Sequence, residues 1–195
     1  MVRIRLSLNY IMIPCNTSPH VIRQIALEHV PSWQFAEVSQ VSWSKQFNRG
    51  GLWYPPYKEN LARIEMGWEE NGDVMWHEFF HSVYHYSPMN KSPNNWWSES
   101  FCNAFSEVNR QCFYKRRYTI EEADCCKDDK HLRTYIIPCI IILHHIEFDA
   151  TRFKEFWISI NELAKNDSTF DVSNILGYSP SDGSFKYHKT GLASL

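Results

Sequence analysis

Residues 73–103 read DVMWHEFFHSVYHYSPMNKSPNNWWSESFCN, and the fold and chemistry of the chain turn on how this stretch is read. It contains His77-Glu78-Phe79-Phe80-His81, the pattern H-E-x-x-H. Residues four apart on a helix share a face, one turn apart. His77 and His81 can therefore offer two imidazole nitrogens to one metal ion. Glu78 is offset by one position, which puts it beside the ion, where a base stands to take a proton from metal-bound water. Chance placement in a chain of this composition gives roughly 3 such matches in 100, so the motif must be weighed with its surroundings.

Those surroundings favour a helix. Asn71-Gly72 is a turn signal, and Asp73 suits an N-cap and the positive end of the helix dipole. Pro88 closes the pattern by pushing Ser87 out of helical geometry. Between these marks, Val74, Met75, Trp76, Phe79, Phe80 and Val83 are uncharged. They can bury the helix while the two histidines face a cleft.

A catalytic zinc takes three protein ligands and a water. His85 continues the series His77, His81, His85, but it lies about 12 Å from His77 along a straight helix, too far for bonds of about 2 Å to one ion. The longer pattern H-E-x-x-H-x-x-G-x-x-H needs Gly at 84 and His at 87, and the chain has Tyr84 and Ser87. Glu99 is the remaining source. It follows His81 by eighteen positions, past a Pro- and Asn-containing loop long enough to reverse the chain. A second helix starting near Asn94 or Asn95 would carry Phe101, Phe105 and Val108, with Glu99 and Asn103 on one face. Glu99 would complete the metal set, and Asn103 would orient one ligand by a hydrogen bond. Glu107 competes with Glu99 but stands two turns further from the bend.

These residues resemble the gluzincin metallopeptidases, in which two His and a downstream Glu hold zinc. Trp97-Ser98-Glu99-Ser100-Phe101 is similar to the W-L-N-E-G-F stretch of the aminopeptidase N group. Trp76-His77-Glu78 followed by Glu99, Asn103 and Ser106 resembles the W-H-E-x-x-H and E-x-x-x-N-x-x-S of the enhancin-like, mucin-targeting peptidases. The resemblance covers roughly residues 62–108. It implies one Zn2+ per chain, a peptide or protein substrate, Glu78 as general base, and an edge strand over 61–68 that pairs with extended substrate. It also implies a Tyr or His that stabilises the oxyanion, for which Tyr84, Tyr86, His131, Tyr135, His144 and His145 are candidates.

The rest of the chain sets bounds. At 195 residues, with 44% hydrophobic and 15% aromatic content, the composition is that of a globular domain able to bury a core without staples. The expectation is one α+β domain. It has a small mixed sheet in a β-rich half over 1–70, a mostly helical half over 71–178, and a loose tail over 179–195. A net charge of −2 with only one short basic cluster, Lys115-Arg116-Arg117, gives no footprint for nucleic acid. No stretch reaches the 18 or so apolar residues of a membrane span. The N-terminus does not read as a signal peptide, which leaves localisation, cytoplasmic or secreted, open. Among six cysteines, Cys102 and Cys139 fall in apolar helical stretches and read as buried thiols.

In chain order, residues 2–13 alternate as a strand, 19–30 read as a helix, and 33–43 as one or two strands. Residues 49–57 read as a Gly- and Pro-rich aromatic loop, either an ordinary connection or a flap over the cleft. After the Glu99 helix come a short acidic turn or helix from Thr119, a long apolar helix from His131 to Phe148 kinked by Pro138, and a helix from Arg152 to Lys165. A short helix over Val172–Leu176 follows, capped by Asp171 and stopped at Gly177. Two other classes compete with a peptidase: a zinc-binding pseudoenzyme whose metal is structural, and a metal-free helical interaction module.

Overall fold

The structure, a computed structural model, describes residues 38–43, 50–57, 62–66, 72–110 and 129–185. Its fold is α+β, as the sequence predicts. Strands β1 (Val38–Trp43), β2 (Gly51–Tyr54) and β3 (Ala62–Met66) form a mixed sheet in the order β1-β3-β2. β3 is parallel to β1 and antiparallel to β2. Its alternation sends Ala62, Ile64 and Met66 into the core, while Arg63 and Glu65 face outward and pair at 3.2 Å.

Two expectations are corrected here. The strand before the motif helix is central, not an edge, since β3 has partners on both sides. Period-two alternation fixes which face is buried but says nothing about which strands lie alongside. Residues 51–54, read as part of a loop, are strand β2, and among the described residues β2 is an edge of this sheet. Gly50 turns the chain at a φ of 93°, and the Leu52-Trp53-Tyr54 run that follows has the shape of strand formers. The expectations for 2–13, 19–30, the 33–37 part of the strand reading and the acidic turn or helix from Thr119 lie outside the described residues.

Helix α1 (Gly72–His85) carries the motif. It starts one residue ahead of Asp73, which therefore sits in the first turn rather than at the cap. Phe79 and Phe80, the two x positions, are 1% and 0% exposed. Two 3₁₀ turns, Pro88–Asn90 and Asn94–Trp97, reverse the chain into helix α2 (Ser98–Arg110). The reversal is clamped by buried Asn94, whose amide donates to the Phe170 carbonyl at 2.7 Å and accepts from the Val172 N–H at 2.8 Å. α1 and α2 pack through Phe80 on Phe105, with ring centroids 4.5 Å apart. Phe153 and Trp157 of helix α4 (Ala150–Asn166) close on the same ring edge-on. Each such aromatic removed from water contributes about 1.5–3 kcal/mol.

The kink expected at Pro138 takes a specific form. Residues Leu132–Ile136 make a π-turn that runs into helix α3 (Ile137–His145), and the Ile137 N–H reaches the Leu132 carbonyl five residues back. Pro138 has no N–H. It can pair with neither the Thr134 carbonyl, its α partner, nor the Arg133 carbonyl, its π partner. Hydroxyls from elsewhere take both positions: Ser100 donates to Thr134 at 2.8 Å and Tyr178 donates to Arg133 at 2.9 Å. The π-turn is thereby tied to α2 one residue from Glu99. A short helix α5 (Ser173–Leu176) ends at Gly177 with a φ of 67°. Strands β4 (Tyr178–Ser179) and β5 (Ser184–Phe185) then form a hairpin. The tail read as loose from Ser179 is ordered at least to Phe185 by that pairing, and 186–195 lie outside the described residues.

Ser100→Ala leaves a buried carbonyl short of a donor and should cost about 1–3 kcal/mol in urea unfolding. In a Pro138→Ala background the helix recovers its own N–H, so the Ser100→Ala cost should shrink. Equal costs in the two backgrounds would mean that the hydroxyl does not stand in for the missing N–H.

Candidate metal centre

Helix geometry brings His77 and His81 to one face of α1, and the reversal lays the first turn of α2 across from them. The positive end of the α2 dipole favours a carboxylate at Glu99. The Nε2 atoms of His77 and His81 are 3.1 Å apart. Glu99 Oε2 is 3.1 Å from His77 Nε2, and Glu99 Oε1 is 3.5 Å from His81 Nε2. His77 Nδ1 is 2.8 Å from Asn103 Oδ1. The Asn103 carbonyl oxygen can only accept, so Nδ1 carries the proton and neutral His77 presents a lone pair at Nε2. His81 Nδ1 has the Ser98 hydroxyl at 3.4 Å.

Acceptor atoms from three side chains thus converge on one point, an arrangement that repels unless a cation or shared protons occupy it. Ligands about 2.0–2.1 Å from a tetrahedral ion stand about 3.3 Å from one another, so the observed spacings fit one ion. The Cys102 thiol adds a further donor. His77, His81 and Cys102 each put a ligand atom within 4.8 Å of the others, and this group can hold a metal ion.

Glu78 stands beside the point of convergence. It is 6% exposed. Burial raises its pKa, the two histidines and a hydrogen bond from the Trp53 backbone N–H pull it down, and the balance is upward. The Trp53 N–H comes from β2, so the sheet edge holds the candidate base. Gly51 of the same strand makes that approach possible. A Cβ there would stand 2.7 Å from Glu78 Cγ and 2.7 Å from Val74 Cγ1.

The other candidates separate by position. Tyr84 is buried, and its hydroxyl donates to the Asn94 carbonyl. Tyr86 is exposed and rests on His85. His144 and His145 pack on Phe148 and Phe156. Glu107 lies near enough to Cys139 for its charge to raise that thiol. Tyr135 is different: after burial, the charges of Glu99 and Glu78 raise its pKa, so its phenol lies within electrostatic reach of both carboxylates. It sits in the π-turn, stacked on His131 at 4.8 Å.

Cys102 was legible only as a buried thiol, although its spacing of three from Glu99 would put both on one side of α2. Trp53 and Gly51 carry no sequence mark of contact with Glu78. Comparison with family models, curated proteins and solved structures found no match.

Two outcomes are expected. Burial opposes the charged form of His77, but its hydrogen bond to Glu99 and the charges of Glu78 and Glu99 prevail and lift its pKa above 6.5. Hydrogen bonds from His77 and His81 outweigh burial at Glu99 and bring it down to about 2. A metal must therefore displace a proton from His77 but none from Glu99. Affinity should hold above the His77 pKa and fall below it, approaching tenfold per pH unit for each displaced proton. A pH-independent dissociation constant in a metal titration across that range would contradict this. Separately, Gly51→Ala should cost about 1–3 kcal/mol in urea unfolding through overpacking against α1, and an unchanged midpoint would show that the strand gives way freely.

Proposed function

We propose that the chain is a zinc-dependent peptidase of the gluzincin kind, with His77, His81 and Glu99 as ligands, Asn103 orienting His77, and Glu78 as general base. The observation that carries this reading is the convergence of the His77 and His81 Nε2 atoms and the Glu99 carboxylate within 3.1–3.5 Å, with a buried carboxylate beside them. A bound zinc supplies Lewis acidity and brings its water to a pKa of about 7.

The chain's own groups do the rest. Glu78 is held by the Trp53 N–H and poised upward by burial. It accepts the proton of the attacking water and returns it to the leaving amine. Phe79 and Phe80 seal the underside of α1, so the polar face works in a poorly solvated site where charge interactions are strong. An extended peptide laid along β2 would complete that edge and bring its backbone past Glu78. Tyr135, within electrostatic reach of Glu99 and Glu78, is the candidate to donate to the carbonyl oxygen as charge grows there. Among the described residues no helix is long and apolar enough to cross a membrane.

Elemental analysis should find one zinc per chain in wild type and in Glu78→Gln, and less in Glu99→Ala. On a mixture of proteome-derived peptides read by mass spectrometry, Glu78→Gln should lose about 10²–10⁴-fold in rate with its metal kept. Tyr135→Phe should lose about 10²–10³-fold in kcat with KM little changed. Full zinc in Glu99→Ala would move the third ligand elsewhere. A zinc-loaded wild type that cleaves nothing would leave a metal-binding protein without this activity, and a wild type that takes up no zinc would end the reading.

A further inference from the structure

We propose that Cys102 is a second-choice ligand beneath the His77–His81 pair, through which the same centre takes thiophilic divalent ions such as Cd2+ in a closed shell of His77, His81, Glu99 and Cys102. The proposal rests on the metal-centre reading above and adds the class of ion that the centre captures in a different, inactive form. The Cys102 ligand atom lies within 4.8 Å of those of both histidines. Glu99 and Cys102 are three apart on α2, so their side chains leave the helix on adjoining faces. They approach the histidines from different depths: the Glu99 side chain is 32% exposed, and Cys102 is 0% exposed. Glu99 thus closes the outer side of the ion's position and Cys102 the inner side.

Ligand softness decides which ion uses the sulfur. Zinc accepts imidazole, carboxylate and thiolate alike, so His77, His81 and Glu99 can satisfy it without the sulfur, whereas a softer ion such as Cd2+ favours thiolate more strongly. The step is ligand exchange without redox change: the thiol S–H bond breaks, the metal–sulfur bond forms, and the proton leaves to solvent. Four protein ligands then leave no open position for water, the mark of a structural rather than a catalytic site.

The test is Cd2+ added to the metal-free full-length chain. The ¹¹³Cd resonance of the wild type should report one sulfur ligand at the site, and thiolate-to-metal absorption should rise in the near ultraviolet. The same component of that absorption should vanish in Cys102→Ser and in His81→Ala, and survive in Cys139→Ser, whose thiol is buried elsewhere. An absorption unchanged in Cys102→Ser, or a ¹¹³Cd shift with only nitrogen and oxygen ligands at the histidine site, would overturn the proposal. The wild-type resonance decides the matter even where Cys102→Ser folds poorly. The two readings fail separately. A zinc-loaded chain that cleaves peptides but shows no sulfur-bound cadmium at the histidines loses only this inference. A chain that binds cadmium through Cys102 but cleaves nothing loses only the peptidase reading.

Discussion

Two imidazole nitrogens held 3.1 Å apart, with a carboxylate oxygen 3.1 Å from one of them, are costly to keep together without positive charge between them. Everything around the centre can be understood as the means of holding that arrangement. α1 supplies the histidines at the one spacing that stacks them, and α2 supplies Glu99 at the end of its helix where a carboxylate is favoured. The two helices are locked by the Phe80–Phe105 stack, with Phe153 and Trp157 pressed on its edges. Among the described residues, much of the aromatic content is therefore packed for rigidity under the centre. Trp96, which is 48% exposed, is an exception.

The sheet enters the same scheme from the other side. Ile64 and Met66 anchor β3 in the core, and β3 carries β2 as its antiparallel neighbour. β2 then approaches α1 so closely that a side chain at position 51 would press on Glu78 and Val74. The Trp53 N–H reaches the Glu78 carboxylate from this edge. The candidate base is thus fixed by backbone, which cannot swing away as a side chain can, and its protonation is set by burial against that hydrogen bond and the nearby histidines.

What could be read from the sequence follows from which interactions are local. The helix over 72–85, its face of two histidines, the buried Phe79-Phe80 pair and the chain reversal before Glu99 all rest on spacing and turn chemistry within thirty residues. Asn103 was legible for the same reason, four positions beyond Glu99. Neighbour relations between strands were not legible. β3 has the alternation of a half-buried strand, and nothing in that pattern says whether one or two strands flank it. β2 was hidden because its glycines read as loop punctuation, whereas Gly51 is there to admit Glu78. That Tyr135, of the six aromatic and imidazole candidates, feels the charges of both Glu99 and Glu78 was not legible either, because its place depends on a π-turn whose geometry no periodicity encodes.

That π-turn shows how a local defect can organise a distant site. The N–H missing at Pro138 and the change from π to α pairing beside it together leave the Arg133 and Thr134 carbonyls to outside donors, and a buried carbonyl without a donor is destabilising by about 1–3 kcal/mol. The remedy is tertiary: Ser100 comes from α2 and Tyr178 from the final hairpin. Both hydroxyls are satisfied only when the π-turn sits against α2, and in that seat Tyr135, next to Thr134, lies within the fields of Glu99 and Glu78. Were residue 138 an ordinary helix former, the segment could pair its own carbonyls and pack in several ways, with no reason to prefer this one. The irregularity removes those alternatives. The same hydrogen bonds that stabilise the helix junction thereby also hold Tyr135 within reach of the Glu99 and Glu78 charges, so stability and the electrostatics near the centre depend on one set of contacts.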